Sequence, residues 1–292
     1  MKTPSLMNGL KRMGSGTVVI LGGRGMLGSD LAIACQQAGF DVKVYDQPEF
    51  DVTNLDHIEQ ALQGTDAVIN CAAYTNVDGA ESETPLAFRV NAEAVGRLGV
   101  LAGTRGLWVL HVSTDFVFDG LHDRPYDEQD TPNPLSAYGR SKLQGERLLL
   151  ESGCLACIVR IEWTYGRHGK NFVTKLLERA SSGAELKVVD DQIGTPTATT
   201  EVANAFCSLL RRRPEGLYHL SGQGYVSRFG VAQFIAERLS LPNRLVACKT
   251  SDFTSPAARP LNSRFDCRKI SPYLDGLMLP WQVPLGRFLE QL

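Results

Sequence analysis

The chain has 292 residues, 43% of them apolar and 21% charged, with a formal net charge of −2. That composition is globular and fits one large domain or two unequal ones, and it offers no positive field to recruit nucleic acid or an acidic membrane. No apolar run approaches the roughly 18 residues of a bilayer span, and the basic N-terminus carries no apolar segment of a secretory signal, so a cytoplasmic protein is expected.

Residues 1–15, with their Gly, Ser and Asn, read as a disordered extension. Thr17–Leu21 is a predicted strand, and Met26–Ala38 follows with Leu27, Leu31, Ala34, Cys35 and Ala38 at helical spacing. A strand over Asp41–Tyr45, a helix around Leu55–Leu62 and a strand over Ala67–Ala73 come next. A long helix is expected over Pro85–Thr104, a strand over Leu107–Val112, a helix over Ser136–Leu150 and a strand over Cys157–Ile161. Alternation of this kind implies an α/β fold, a doubly wound parallel sheet of the Rossmann type, its Val/Ile/Leu-rich strands buried on both faces. The dinucleotide-binding domain is expected over residues 16–165, rejoined by about 198–222, with the looser stretch 166–292 mainly forming a smaller C-terminal substrate-binding lobe. Arg211, Arg212 and Arg213 close a helical pattern before Pro214, where basic side chains favour the dipole. Seven scattered cysteines include a Cys154-x-x-Cys157 pair. On a strand, positions three apart point to opposite sides, and no second pair completes a zinc site, so these thiols read as structural.

Gly22-Gly-Arg-Gly25-Met-Leu-Gly28 follows a strand and opens a helix. Gly22 permits the tight turn, Gly25 lets the backbone approach a pyrophosphate, and Gly28 lets the helix pack on the sheet, with helix amides facing the phosphates. Asp46, closing the second strand, is placed to accept from an adenosine ribose and favours NAD. Arg24, inside the loop, is placed to meet a 2′-phosphate and favours NADP; the choice between NADH and NADPH stays open. Asp51-Val52 falls where an adenine contact belongs, or equally where a turn precedes a helix.

Tyr138 and Lys142 stand four apart in a helical segment and share one face. A neighbouring ammonium favours a phenolate and brings the tyrosine proton within reach of neutral-pH transfer. Ser113-Thr-Asp115 ends the fourth strand, at the edge where doubly wound sheets bind ligands, and a hydroxyl there can hydrogen-bond a carbonyl oxygen as it becomes an alkoxide.

The stretches Asn70–Glu81, Val90–Ala92, Ser113–Gly120, Pro125–Glu128 and Pro134–Glu146 resemble those of extended short-chain dehydrogenases/reductases. With Asp191–Thr197, Gly216–Gly222 and Arg259–Arg264 they resemble the dTDP-4-dehydrorhamnose reductase family, from about Thr17 to the C-terminus. The resemblance implies reduction of the 4-keto group of dTDP-6-deoxy-L-lyxo-4-hexulose by NADPH or NADH, giving dTDP-L-rhamnose. It implies that Tyr138 protonates the C4 oxygen, Lys142 lowers the tyrosine pKa and holds the nicotinamide ribose, and Thr114 orients the carbonyl. It puts Gly23, Met26, Leu27, Cys71, Ala72, Ala73, Tyr74 and Asn91 beside the cofactor with the residues already named. Thr75, Val77, Asp115, Phe116 and Trp163 match positions that line the sugar pocket. Glu162 departs from the family pattern, which has a small hydroxyl residue there; it either alters sugar recognition or points away. Some members bind magnesium between subunits through carboxylates, but those ligands are not mapped onto this chain. A homodimer is the expected assembly.

Particular residues argue against three rival readings. A 4,6-dehydratase needs an acid–base carboxylate where this chain has Phe116, and the Asp-Gln-x-Gly-x-Pro-Thr element favours a reductase over an epimerase. A non-catalytic, cofactor-binding regulatory subunit, like the beta subunit of methionine adenosyltransferase, is expected to lose catalytic residues, yet Thr114, Tyr138 and Lys142 are all present.

Overall fold

Val18 to Leu21 are all buried in strand β1 (Thr17–Leu21), and they alternate between two different cores. The computed structural model describes residues 16–292, so the expected extension over 1–15 lies outside the described residues. The chain continues through α1 (Met26–Gln37), β2 (Asp41–Tyr45), α2 (Leu55–Ala61) and β3 (Ala67–Asn70). Short α3 (Gly79–Ser82) and α4 (Thr84–Phe88) lead through a π turn at Arg89–Glu93 into α5 (Ala94–Gly103). Then come β4 (Trp108–Thr114), α6 (Ala137–Glu151) and β5 (Leu155–Ile161).

Beyond these lie β6 (Thr164–Tyr165), α7 (Phe172–Ala180), β7 (Leu186–Val189), β8 (Ile193–Gly194) and β9 (Thr197–Ala198). The chain ends through α8 (Thr199–Arg212), β10 (Gly216–Leu220), β11 (Val226–Ser227), α9 (Arg228–Leu239), β12 (Leu245–Cys248) and α10 (Gln282–Leu289).

Six strands form one parallel sheet in the order β10-β5-β4-β3-β1-β2. One face packs Val18 and Ile20 against Leu31 of α1 and Phe206 of α8. The other packs Val19 and Leu21 against Ile58 of α2, Leu98 of α5 and Leu149 of α6. Chain order reverses at β1, which has β2 on one side and β3 on the other, and this leaves a crevice at the carboxyl ends of the strands. A separate apolar cluster joins Leu176 of α7, Ile235 of α9 and Leu285 of α10, so the later elements build a second, smaller core beside that edge.

Two elements differ from the sequence reading. Strand β3 stops at Asn70 rather than Ala73, because the Asn70 side chain accepts from the Ala72 N–H at 3.1 Å and turns the chain out of the sheet. The helix expected over Pro85–Thr104 is broken by the π turn around Asn91, whose side chain accepts from Tyr74 N at 2.8 Å and donates to Ser141 Oγ at 3.0 Å. The cysteine pair does diverge: Cys157 packs in one core and Cys154 against the other. Arg211 and Arg212 both pair with Asp275, and Arg213 is the left-handed cap before Pro214. Among the described residues no helix is long and apolar enough to cross a membrane.

Under α6 lies a buried ion pair. Arg160 of β5 donates from Nη2 to Glu146 Oε2 at 2.6 Å and from Nε to Oε1 at 2.9 Å, and both side chains are almost wholly excluded from solvent. Ser113 Oγ also donates to Glu146. Removing one member of such a pair strands the other charge, at a cost of about 3–5 kcal/mol. Arg160→Met is therefore expected to lower unfolding free energy by that amount in urea titration, with an unchanged denaturant slope; a loss below about 1 kcal/mol would contradict a buried, coupled pair.

Candidate active site

The loop from Gly22 to Gly28 joins β1 to α1, and its first turn hangs on β2: Gly22 and Gly23 both donate to Tyr45 O, at 2.8 and 3.3 Å. Gly22 has φ of 73°, the left-handed region that glycine tolerates. A Cβ at Gly28 would overlap Gly22 O and the Gly23 backbone, so the helix could not close on the turn. Gly25 differs. A Cβ there would meet only Gly22 O, at 3.3 Å, because the residue faces open cleft.

That cleft, of about 740 Å³, runs along the carboxyl ends of the strands. It gathers most of the expected residues: Gly22, Gly25, Met26, Leu27, Gly28, Asp46, Asp51, Val52, Cys71, Ala72, Ala73 and Tyr74 on the loop side. Thr75, Val77, Thr114, Asp115, Phe116, Tyr138, Lys142 and Trp163 line the other. Three expected residues do not line it. Gly23 faces Val44, Arg24 extends outward to Glu49 at 2.7 Å, and Asn91 is buried behind Tyr74, bonded to its backbone.

Both Asp46 oxygens are engaged by backbone amides, Oδ2 by Arg24 N and Oδ1 by Gln47 N, each at 2.8 Å. Arg24 also donates to Gln47 O at 3.2 Å, so the acidic and basic groups share one short segment.

Helix α6 is capped by Ser136, whose Oγ accepts from Gly139 N. Its inner face presents Tyr138 and Lys142 to the cleft. Lys142 Nζ donates to Val112 O at 2.6 Å, and burial pulls its pKa down to about 8, against Glu146 and Cys71. Burial pushes Tyr138 up to about 12, the Thr114 hydroxyl pulls the other way and Asp115 adds to the rise. This corrects one expectation: the phenol is raised, not lowered, and Lys142 is not among the groups that move it. The ammonium is directed at Val112 O, and burial of the phenol dominates.

At the end of β4, Thr114 Oγ1 donates to Asp115 Oδ1 at 3.1 Å, and Ser263 Oγ donates to Asp115 Oδ2 at 2.6 Å. Burial raises the Asp115 carboxyl. The Phe116 ring meets Tyr138 edge-on at 5.6 Å. Trp163 sits at φ of 45°, an unusual conformation for a bulky residue, and its ring enters the cleft. Glu162, the residue next to it, is turned away from the cleft and buried. Its Oε2 accepts from Thr195 N at 2.8 Å, Oε1 has no partner among the described residues, and burial holds the carboxyl well above its ordinary range.

Sequence reasoning missed Arg228. The first residue of α9, it lies 3.5 Å over the Trp163 ring and 4.9 Å from Phe172, and no carboxylate among the described residues ion-pairs with it. It lines both the main cleft and an adjoining cavity of about 570 Å³ that contains Lys175, Arg259, Phe172 and Phe253. No local pattern marks Arg228, since the ring beneath it comes from 65 positions earlier. Arg259 is tied to Asp78 at 2.9 Å, joining two stretches singled out in the sequence. Among the described residues no group of three or more His, Cys, Asp or Glu side chains is arranged to hold a metal ion.

A family model described as the RmlD substrate binding domain matches residues 16–292. The dTDP-4-dehydrorhamnose reductase of Sinorhizobium fredii is 36% identical over 272 residues, covering 88% of this chain and 92% of that protein. The Escherichia coli enzyme of the same name is 34% identical, covering 94% and 97%. The crystal structure of the Bacillus anthracis dTDP-4-dehydrorhamnose reductase in complex with NADP superposes with a TM-score of 0.91 at 32% identity, over 95% of this chain and 100% of that one. With its phosphate loop, strand-end threonine and Tyr-x-x-x-Lys helix converging on one cleft, the chain belongs to the RmlD substrate-binding-domain family, which takes in these reductases.

Proposed function

We propose that this protein reduces the 4-keto group of dTDP-4-dehydro-L-rhamnose to dTDP-L-rhamnose, using NADPH or NADH. The observation that carries the reading is the convergence of Thr114, Tyr138 and Lys142 with the Gly22–Gly28 loop on one cleft. The similarity over nearly the whole chain to named reductases supports the substrate class.

A dinucleotide fits the loop side. Gly25 leaves open the space that a side chain would fill, and the first turn of α1 turns its amides toward it. When bound, the nicotinamide supplies hydride to C4. The chain's own residues supply the rest. Thr114 and Tyr138 are placed to hydrogen-bond the C4 oxygen, and a phenol held near 12 keeps its proton at neutral pH, ready for the developing alkoxide. Lys142, anchored on Val112 O, retains donors for a ribose hydroxyl. The nucleotide half suits the adjoining cavity, where Arg228, Lys175 and Arg259 offer cations and Phe172 and Phe253 offer apolar faces. A purely regulatory role is not favoured, since all three reacting side chains line the cleft. A cytoplasmic setting agrees with seven cysteines that are all free thiols.

Tyr138→Phe keeps the ring and removes the proton, so turnover should fall by about 10²–10⁴-fold with ligand binding retained. Near-normal turnover in a steady-state assay with NADPH and the keto sugar nucleotide would refute the role. Gly25→Val should abolish fluorescence-detected NADPH binding while circular dichroism stays native. For the sugar nucleotide, Arg228→Leu is expected to raise the Michaelis constant about ten- to a hundredfold and leave the NADPH dissociation constant unchanged. A changed cofactor constant with an unchanged sugar constant would move Arg228 out of the substrate site.

A further inference from the structure

Behind the cleft, Lys142 is held by groups that the reaction as described does not use. Its Nζ stands 3.4 Å from His111 Nε2, in addition to its bond to Val112 O. His111 is fully buried in β4, and its other ring nitrogen, Nδ1, lies 3.2 Å from Asn70 Nδ2. The orientation of Asn70 is forced. The Ala72 N–H can only donate and sits 3.1 Å from Oδ1, so the amide oxygen faces Ala72 and the amide nitrogen faces the ring. An amide nitrogen only donates, so His111 Nδ1 is an acceptor and the ring proton is on Nε2, aimed at Lys142. An N–H aimed at Nζ suits the lone pair of a neutral amine and opposes an ammonium.

We propose that Asn70 and His111 are positioning residues for Lys142: the Asn70 amide locks the His111 tautomer, and the Nε2–H so fixed weakens the lysine's hold on its third proton. This rests on the reading of Lys142 as part of the reductase machinery. Apart from burial, the other titratable groups around Lys142 oppose the loss of its charge or are neutral. Glu146, one turn on, and the Cys71 thiol beyond β3 both favour the ammonium, and Glu146 is already committed to Arg160 and Ser113. Tyr138, one turn back, is protonated at neutral pH. The Cys71 thiol is itself pushed up to about 12 by burial. Burial and Lys142 hold His111 well below its ordinary range, so it is a neutral ring with one proton to place. Burial alone brings the lysine down to about 8 from about 10.5, and a fixed N–H aimed at Nζ acts in the same direction.

The lysine can be read directly. In the full chain without ligands, labelled with lysine carrying ¹³C at Cε, the resonance lost in Lys142→Arg should titrate near pH 8. Asn70→Asp keeps an acceptor for Ala72 N–H and adds one for Nδ1, so the ring proton moves to Nδ1 and Nε2 turns a lone pair to the lysine. The midpoint should then rise by about one to two pH units, and the alkaline limb of the turnover profile should move with it. A carboxylate also attracts an ammonium through space, so the same substitution is made on His111→Phe. A shift that vanishes there supports the tautomer lock, and no shift, or an equal shift on both backgrounds, overturns it. If Asn70→Asp does not fold, His111→Gln, whose amide oxygen can turn to Nζ, should raise the midpoint likewise; an unmoved midpoint overturns the proposal. The titration needs neither cofactor nor sugar. A wild-type protein that fails to reduce dTDP-4-dehydro-L-rhamnose would therefore defeat the functional reading and leave this test intact.

Discussion

The site depends on how closely α6 lies against its neighbours. A Cβ at Gly139 would overlap Phe116 O, and one at Gly145 would overlap Asn91 O, so the helix sits where only glycine fits. These two positions bracket Lys142, with Tyr138 directly before the first. Below them, Glu146 is held by both Arg160 and Ser113, from β5 and β4. Backbone contact on the near side and a buried ion pair on the far side leave the helix little freedom to slide or rotate. A phenol and an amine delivered from such a helix are held more precisely than groups carried on loops.

The same tight packing sets the electrostatics. In and behind the cleft wall, burial pushes the acids Asp115, Glu162 and Tyr138 up and the bases His111 and Lys142 down, each towards its uncharged form. A low-dielectric wall strengthens each dipole within it, including the buried Thr114 hydroxyl at the end of β4. Arg228 is the exception. Burial lowers it only to about 10, with Asp115 and Glu162 pulling it back, and aromatic faces rather than a carboxylate hold it, so its charge remains available to an anionic ligand.

Much of this was legible in local pattern. β1 and β2 occupy the residues their apolar runs predict, and α1 and α6 match within one or two positions, because a sheet buried on both faces demands continuous apolar strands and amphipathic covers. The failures fall where a side chain competes with the backbone. Asn70 ends β3 early by bonding the amide two residues on, and Asn91 sits at a π turn that no helical periodicity records. Both residues then serve the site from behind, and neither lines the cleft.

By itself the sequence determined the fold class, the glycine loop between β1 and α1, the strand-end stretch Ser113–Asp115 and the placing of Tyr138 and Lys142 on one helix face, because each follows from spacing within one element or from the junction of two. Tertiary structure alone decided what depends on distant elements meeting. Arg228 needs the ring of Trp163, Glu162 is turned from the cleft towards Thr195, and Arg24 reaches Glu49 rather than the cleft. The proton affinities belong to this second group as well. Spacing places Lys142 beside Tyr138 and predicts a lowered phenol, but how deeply each group is buried, and which carbonyl receives the ammonium, is settled only when β4, α6 and the turn after β3 close around them.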